Sequence, residues 1–244
     1  MLTGFSVLLA LGSAAGLLWV GLRAPAKLAV RTVDQGLLVL LVALAGGRAG
    51  YVAVNWGYFA AYPGEIGQVW LGGLSGVGAV YGFVLGLFLA AWLGKENLGL
   101  LADRLLPLGM ALGVSAWLAA WWDGSAYGVP AAGWFALPSL DERGLWARRF
   151  PTQALGAVLT LILWAGLDWL QRLRSAVPGR AVALGLLLCG LLLFGLAFTR
   201  ADPAPLWRGW RLEAWAALSL AALGLLGWGF VEIRAAILRR KNGL

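Results

Sequence analysis

Apolar runs long enough to cross a bilayer recur along the whole 244-residue chain, and no other feature limits its fold as strongly. A helix needs about 20 apolar residues to span the hydrocarbon layer, and roughly seven runs meet that length. They cover Leu2–Gly21, Gly36–Ala60, Gln68–Leu93, Ala102–Trp121, Pro151–Leu170, Ala181–Ala197 and Leu212–Ile233. Composition agrees: 61% of residues are hydrophobic and 12% charged, against about 25% charged in a soluble domain. The expected fold is an all-α polytopic membrane protein, one transmembrane domain over 1–244 with residues 123–150 as a small outer arm. Glycines, prolines and aromatics in that arm (Tyr127, Trp134, Phe135) predict an ordered segment on the membrane interface.

Charge placement sets the expected orientation. No charged residue precedes the first span, so the basic start of a cleavable signal is missing. Arg23, Lys27 and Arg31 follow it, and the basic residues Lys95, Arg104, Arg172, Arg180, Arg234 and Arg239 fall on alternate loops. Basic residues collect on cytoplasmic loops, which predicts the N-terminus outside and the C-terminus inside. The same rule accounts for the net charge of +8. Nucleic acid is not an expected partner, because no basic stripe sits on a water-soluble domain.

The chain has no histidine and one cysteine, Cys189. Histidine-based acid–base chemistry and histidine-ligated metal are therefore ruled out, and so is an intrachain disulfide. The carboxylates show no metal-ligand spacing, and neither metal nor cofactor is expected. Arg48 draws attention because it interrupts an apolar run. A guanidinium at mid-span costs roughly 2.5–3.5 kcal/mol on insertion scales and needs a partner or a watery cavity. Arg149 and Arg200 also run against the charge bias of the outer loops. Arg208 and Arg211, beside Trp207 and Trp210, fit either an interfacial anchor or a site; Arg200 and Asp202 could pair with each other. Gly72-Gly73 and Gly76-x-Gly78 could open an acyl-chain groove or allow close helix packing.

In order along the chain, several segments resemble the prolipoprotein diacylglyceryl transferase family. Gly47-Arg48-Ala49-Gly50-Tyr51 resembles its Gly-Arg-x-Gly-Tyr, and Trp70-Leu71-Gly72-Gly73-Leu74-Ser75 its Trp-x-Gly-Gly-Met-Ser. Asp123-Gly124-Ser125-Ala126-Tyr127-Gly128 stands where the family has Asn-Gly-Glu-x-x-Gly. Arg149-Phe150-Pro151-Thr152-Gln153 resembles Arg-His-Pro-Thr-Gln, and Arg200-Ala201-Asp202 resembles Arg-x-Asp. Departures from the family pattern are Val77 and Phe150 at histidine positions, Trp117 at an arginine, Gly156 at a glutamate and Phe5 at a tyrosine.

The resemblance implies transfer of diacylglyceryl from phosphatidylglycerol to the lipobox cysteine of a prolipoprotein, in a bacterial inner membrane. Its partners would be phosphatidylglycerol or another anionic phospholipid and a prolipoprotein signal peptide. Such a reaction needs a deprotonated thiol and a stabilised leaving phosphate. Arg200, Asp123 and Asp202 are the expected catalytic residues, with Glu65, Glu213 or water as other bases. Arg48, Tyr51, Gly72, Gly73, Arg149 and Gln153 are expected at the substrate. Two other readings stay open: a relative that binds phospholipid without transfer, and a small transporter of an anion.

Overall fold

The computed structural model describes residues 4–69, 72–173 and 177–241. Seven of its helices are long and apolar enough to cross a membrane. They are α1 (Gly4–Arg23), α2 (Ala29–Val54), α4 (Gly76–Gly94), α5 (Leu98–Asp123), α6 (Thr152–Leu173), α7 (Arg180–Ala197) and α8 (Leu212–Lys241). A four-residue helix, α3 (Trp56–Phe59), follows α2. Two hairpins lie in the loops: β1 (Leu137–Leu140) with β2 (Trp146–Arg149), and β3 (Leu206–Trp207) with β4 (Trp210–Arg211).

The spans match the sequence reading, with shifted ends that have local causes. The third begins at Gly76 rather than Gln68, because Gly72 and Gly73 take φ of +87° and +76° and break the helix. Ser75 then caps α4 by accepting from the Gly78 amide. Asn97 caps α5 in the same way, through the Leu100 amide, so that helix starts before the expected Ala102. Trp70 and Leu71, which the sequence reading used, lie outside the described residues.

Glycine sets how closely the helices approach. A Cβ on Gly82 would stand 2.5 Å from the Val42 carbonyl oxygen, and one on Gly46 would stand 2.6 Å from that of Gly78. Thus α2 and α4 touch backbone to backbone, and of the two readings for Gly78 the packing one holds. Gly190 and Gly224 do the same between α7 and α8. The Tyr81 hydroxyl ties the two pairs together, donating to Ala216 O and meeting Ser219. Val20, Val39, Leu87, Leu101, Leu105 and Leu108 fill the space between α1, α2, α4 and α5.

Alternation of the spans puts the ends of α2, α5 and α7 together with the starts of α4, α6 and α8. The opposite end carries most of the basic residues and is stitched by charge. Arg180 grips Glu232 at 2.7 and 2.8 Å. Arg31 and Arg104 share Glu96, and Arg23 and Arg172 share Asp168. Asp103 of α5 accepts from the amides of Gly179 and Val182, which caps α7 from a neighbouring helix.

Gly82→Ala should destabilise the protein by about 2 kcal/mol, because the new methyl meets backbone that cannot turn aside. Gly195→Ala, with nothing within 4 Å of the added Cβ, should be neutral or gain up to about 1 kcal/mol. Thermal unfolding in detergent measures both, and equal midpoints for the two variants would contradict the close-packing account.

Candidate functional site

At the end opposite the basic residues, loop segments join into a small sheet. Residues 127–131 run between 148–150 and 199–201. The Val129 amide donates to Thr199 O and the Ala201 amide to Tyr127 O, both at 2.9 Å. On the other side the Phe150 amide donates to Val129 O at 2.8 Å and the Ala131 amide to Arg148 O at 3.2 Å. Gly128 thus pairs with Arg200, and Pro130 with Arg149. A side chain at Gly128 would run into the Phe150 carbonyl, so only glycine lets the strands come this close. Below the sheet, Thr152 Oγ1 meets Thr199 Oγ1 at 2.9 Å. Gln153 donates to Ser125 O at 2.8 Å and accepts from Ser139 Oγ at 3.4 Å. At 2% exposure, Gln153 fastens the loops together.

Two arginines of the sequence reading stand on opposite flanks of the 127–131 strand, each with its own acidic partners. Arg149 Nη2 donates to Asp141 at 3.1 Å, and its guanidinium lies 4.4 Å from the centre of the Tyr127 ring. Backbone donation from Leu145 and Arg143, joined by the Arg149 charge, holds the Asp141 carboxyl below the usual range despite partial desolvation. Arg200 grips Asp202 with Nε at 2.8 Å and Nη2 at 2.5 Å, and its Nη1 stands 2.7 Å from Glu213 Oε2. Burial works against the Arg200 charge, but Asp202 and Glu213 outweigh it and raise its pKa. Arg211 donates to Asp202 O at 2.7 Å. Two arginines and two acids therefore form one neutral cluster.

Arg48 sits at the same end but not on that sheet. Its Nε donates to Ile66 O at 2.7 Å and its Nη2 to Glu65 O at 2.6 Å. Nη1 donates to Gly72 O and Gly73 O, at 2.7 and 3.2 Å. The aromatic rings of Phe59 and Tyr51 flank the guanidinium at 5.1 and 5.7 Å. Four carbonyls solvate the charge, and they belong to the loop between α3 and α4. Gly73 has room for no side chain because the Tyr51 ring covers it. Arg48, Tyr51, Gly72 and Gly73 thus form one loop clamp, and the expected joint grip of Arg48 with Arg149 and Arg200 on a single anion is not the arrangement observed.

Asp123 is the last residue of α5, exposed, and followed by Gly124 with φ of +70°. It enters none of the ion pairs found among the described residues. Trp117 and Gly156, which replace a family arginine and glutamate, touch: the indole lies directly over the glycine. No group of three or more metal-ligating side chains occurs among the described residues.

Sequence reasoning missed the roles of Tyr127, Asp141 and Glu142. The Tyr127 hydroxyl bonds to the Glu142 carboxylate, and with burial this pushes its pKa up to about 12. Asp141-Glu142-Arg143-Gly144 is recognisable as a turn, but its reach to Arg149 follows from the β1–β2 pairing, which puts Leu137 opposite Arg149.

Two outcomes follow. Arg48→Ala should cost on the order of 3 kcal/mol, and Arg48→Lys should recover only part, since an ammonium cannot fork to four carbonyls. A thermal midpoint for Arg48→Ala equal to wild type would refute the clamp. For Tyr127, the folded state holds its proton more tightly than the unfolded chain, whose tyrosine titrates near 10. Its contribution to stability is therefore complete below pH 10 and lost as pH rises through about 12. Tyrosinate absorbance should lose its component near pH 12 in Tyr127→Phe; retention of that component would assign it to another ring.

Comparison with known proteins places this architecture. The sequence model of the prolipoprotein diacylglyceryl transferase family matches residues 2–230. A phosphatidylglycerol–prolipoprotein diacylglyceryl transferase of Mannheimia succiniciproducens is 33% identical over 66% of this chain and 60% of its own length. One from Fervidobacterium nodosum is 29% identical over 70% of this chain and 61% of its own. A Neisseria meningitidis protein of the same name is 28% identical over 78% and 76%. The chain thus spans about three fifths of the first two relatives. It belongs to the prolipoprotein diacylglyceryl transferase family.

Proposed function

We propose that this multi-pass membrane protein transfers the diacylglyceryl group of phosphatidylglycerol to the lipobox cysteine of a prolipoprotein. The thiol sulfur bonds to the glyceryl carbon, the carbon–oxygen bond to the phosphate breaks, and glycerol phosphate leaves with the electron pair. The thiol proton goes to a carboxylate or water. The observation that carries this reading is the strand of residues 127–131, which has Arg149 on one flank and Arg200 on the other in a chain with the family's sequence pattern.

Roles follow from position. Arg200, oriented by Asp202, faces the leaving phosphate, where a charge-assisted donor stabilises developing negative charge. Arg149 lies beside it for the headgroup. Asp123 is the proposed base: a carboxylate at the negative end of a helix gains nothing from the dipole, and no cation among the described residues pairs with it. Arg48, Tyr51, Gly72, Gly73 and Gln153 shape the wall of the site by holding its loops. The basic end of the bundle faces the cytoplasm, and the sheet lies on the outer side of a bacterial inner membrane.

A second reading, phospholipid binding without transfer, is favoured by one observation. Trp117 over Gly156 puts apolar surface where the family pattern carries charge.

Complementation of a strain depleted of its own transferase, with a lipobox-peptide assay on purified protein, separates the two. Transfer is expected, and Arg200→Ala and Asp123→Asn should each lower it at least about a hundredfold. Wild-type protein that binds phosphatidylglycerol but transfers nothing would leave the second reading standing.

A further inference from the structure

Arg211 holds its guanidinium in an unusual state. Nη1 is taken by the Asp202 carbonyl. Nε and Nη2, the edge that grips an oxyanion side-on, are both buried and have no hydrogen-bond partner among the described residues. Glu213 Oε2 is buried beside them and also lacks one. The charges are near: Glu213 Oε2 stands 3.5 Å from Arg211 Nη2 and 2.7 Å from Arg200 Nη1, and Asp202 Oδ1 stands 3.1 Å from Arg211 Nη2. They attract without being aligned. Three buried charged atoms of one cluster left without hydrogen bonds demand a cause, since buried polar groups are nearly always bonded.

A tetrahedral oxyanion supplies that cause, because it offers acceptors in several directions where a carboxylate offers two in a plane. We propose that Arg211 and Arg200 together bind a phosphate ester monoanion, and that Glu213 is the carboxylate that gives way to it. The charges balance. With Glu213 turned to solvent, Arg200, Arg211 and Asp202 carry one positive charge, the complement of a phosphodiester. Glu213 is the member able to turn, with its side chain 35% exposed against 14–16% for the other three. It stands in the first turn of α8, where the helix N-terminus favours phosphate as well as carboxylate.

The depth also fits. Trp207 and Trp210 of the adjoining hairpin are exposed, and Arg208 lies over the Trp207 ring. Exposed tryptophans of membrane proteins sit at headgroup level, which is where lipid phosphates are. The identity of the phosphate as that of phosphatidylglycerol rests on the transfer reading. Arg211 thus joins Arg200 as a phosphate ligand, and Glu213 sets how tightly the site binds.

The test is a thermal-shift titration of the purified protein in detergent with phosphatidylglycerol, and separately with glycerol phosphate and inorganic phosphate. Arg211→Gln should raise the half-maximal phosphatidylglycerol concentration about tenfold. Glu213→Gln should lower it several-fold, a gain that misfolding cannot imitate. A response to the soluble phosphates with the same Arg211 dependence supports a site open to free phosphate; a response to lipid alone supports a headgroup site. Half-points unchanged in both variants overturn the proposal, as does a Glu213→Gln variant no tighter than wild type. The transfer assay keeps the two readings apart. Arg211-dependent binding without transfer upholds this site and removes the activity, whereas transfer with wild-type KM in both variants does the reverse.

Discussion

Four arginines at one end of a membrane bundle have to be solvated by the protein, and the manner of solvation decides what each can do. Removing a guanidinium from water is costly unless its donors are bonded and its charge is balanced. Arg48 is met by four backbone carbonyls, whose dipoles bond its donors without a formal negative charge. Exchange for an external anion would release those carbonyls and the loop they belong to. Arg149, Arg200 and Arg211 are met by Asp141, Asp202 and Glu213. A carboxylate side chain can swing away and be replaced by another oxyanion, whereas a loop backbone cannot do so cheaply. Arg48 is therefore bound into the loop by backbone, whereas the arginines on the strands have side-chain partners that can be exchanged.

That division depends on glycines. Contact of α2 with α4 through Gly46, Gly78 and Gly82 brings Arg48 within reach of the loop that precedes α4. Gly128 lets residues 127–131 lie between the strands that bear Arg149 and Arg200. In each case a missing side chain sets a backbone separation, and the backbone separation sets which donors meet which acceptors. The link from sequence to electrostatics runs through packing.

Legibility in the sequence followed the range of the interactions. Spans were legible because run length is a local property, and the start of the third moved where a left-handed glycine pair and a cap intervened, at Gly72-Gly73 and Ser75. The Arg200–Asp202 pair, two residues apart, was legible too. The hairpins were not, since strands of two to four residues carry too little alternation to register. Without them the Arg149–Asp141 pair and the contacts of Arg211 with Asp202 and of Arg200 with Glu213 had no signal. Arg48 stood out as a buried charge, but its partners are carbonyls, and any residue supplies a carbonyl. Residue identity could reveal the need for partners there and not their nature.

The contact between Trp117 and Gly156 gives the departures from the family pattern a physical form. An indole needs a neighbour without a side chain, and the residue under it has none. The two changes therefore accommodate each other, as a substitution in a close-packed interior requires. Replacing buried charge by well-packed apolar groups is often neutral or stabilising, so the bundle gives up no stability by it. Arg149, Arg200 and Arg211 stand on the sheet and the β3–β4 hairpin, with Glu213 in the first turn of α8, near the exposed Trp207 and Trp210.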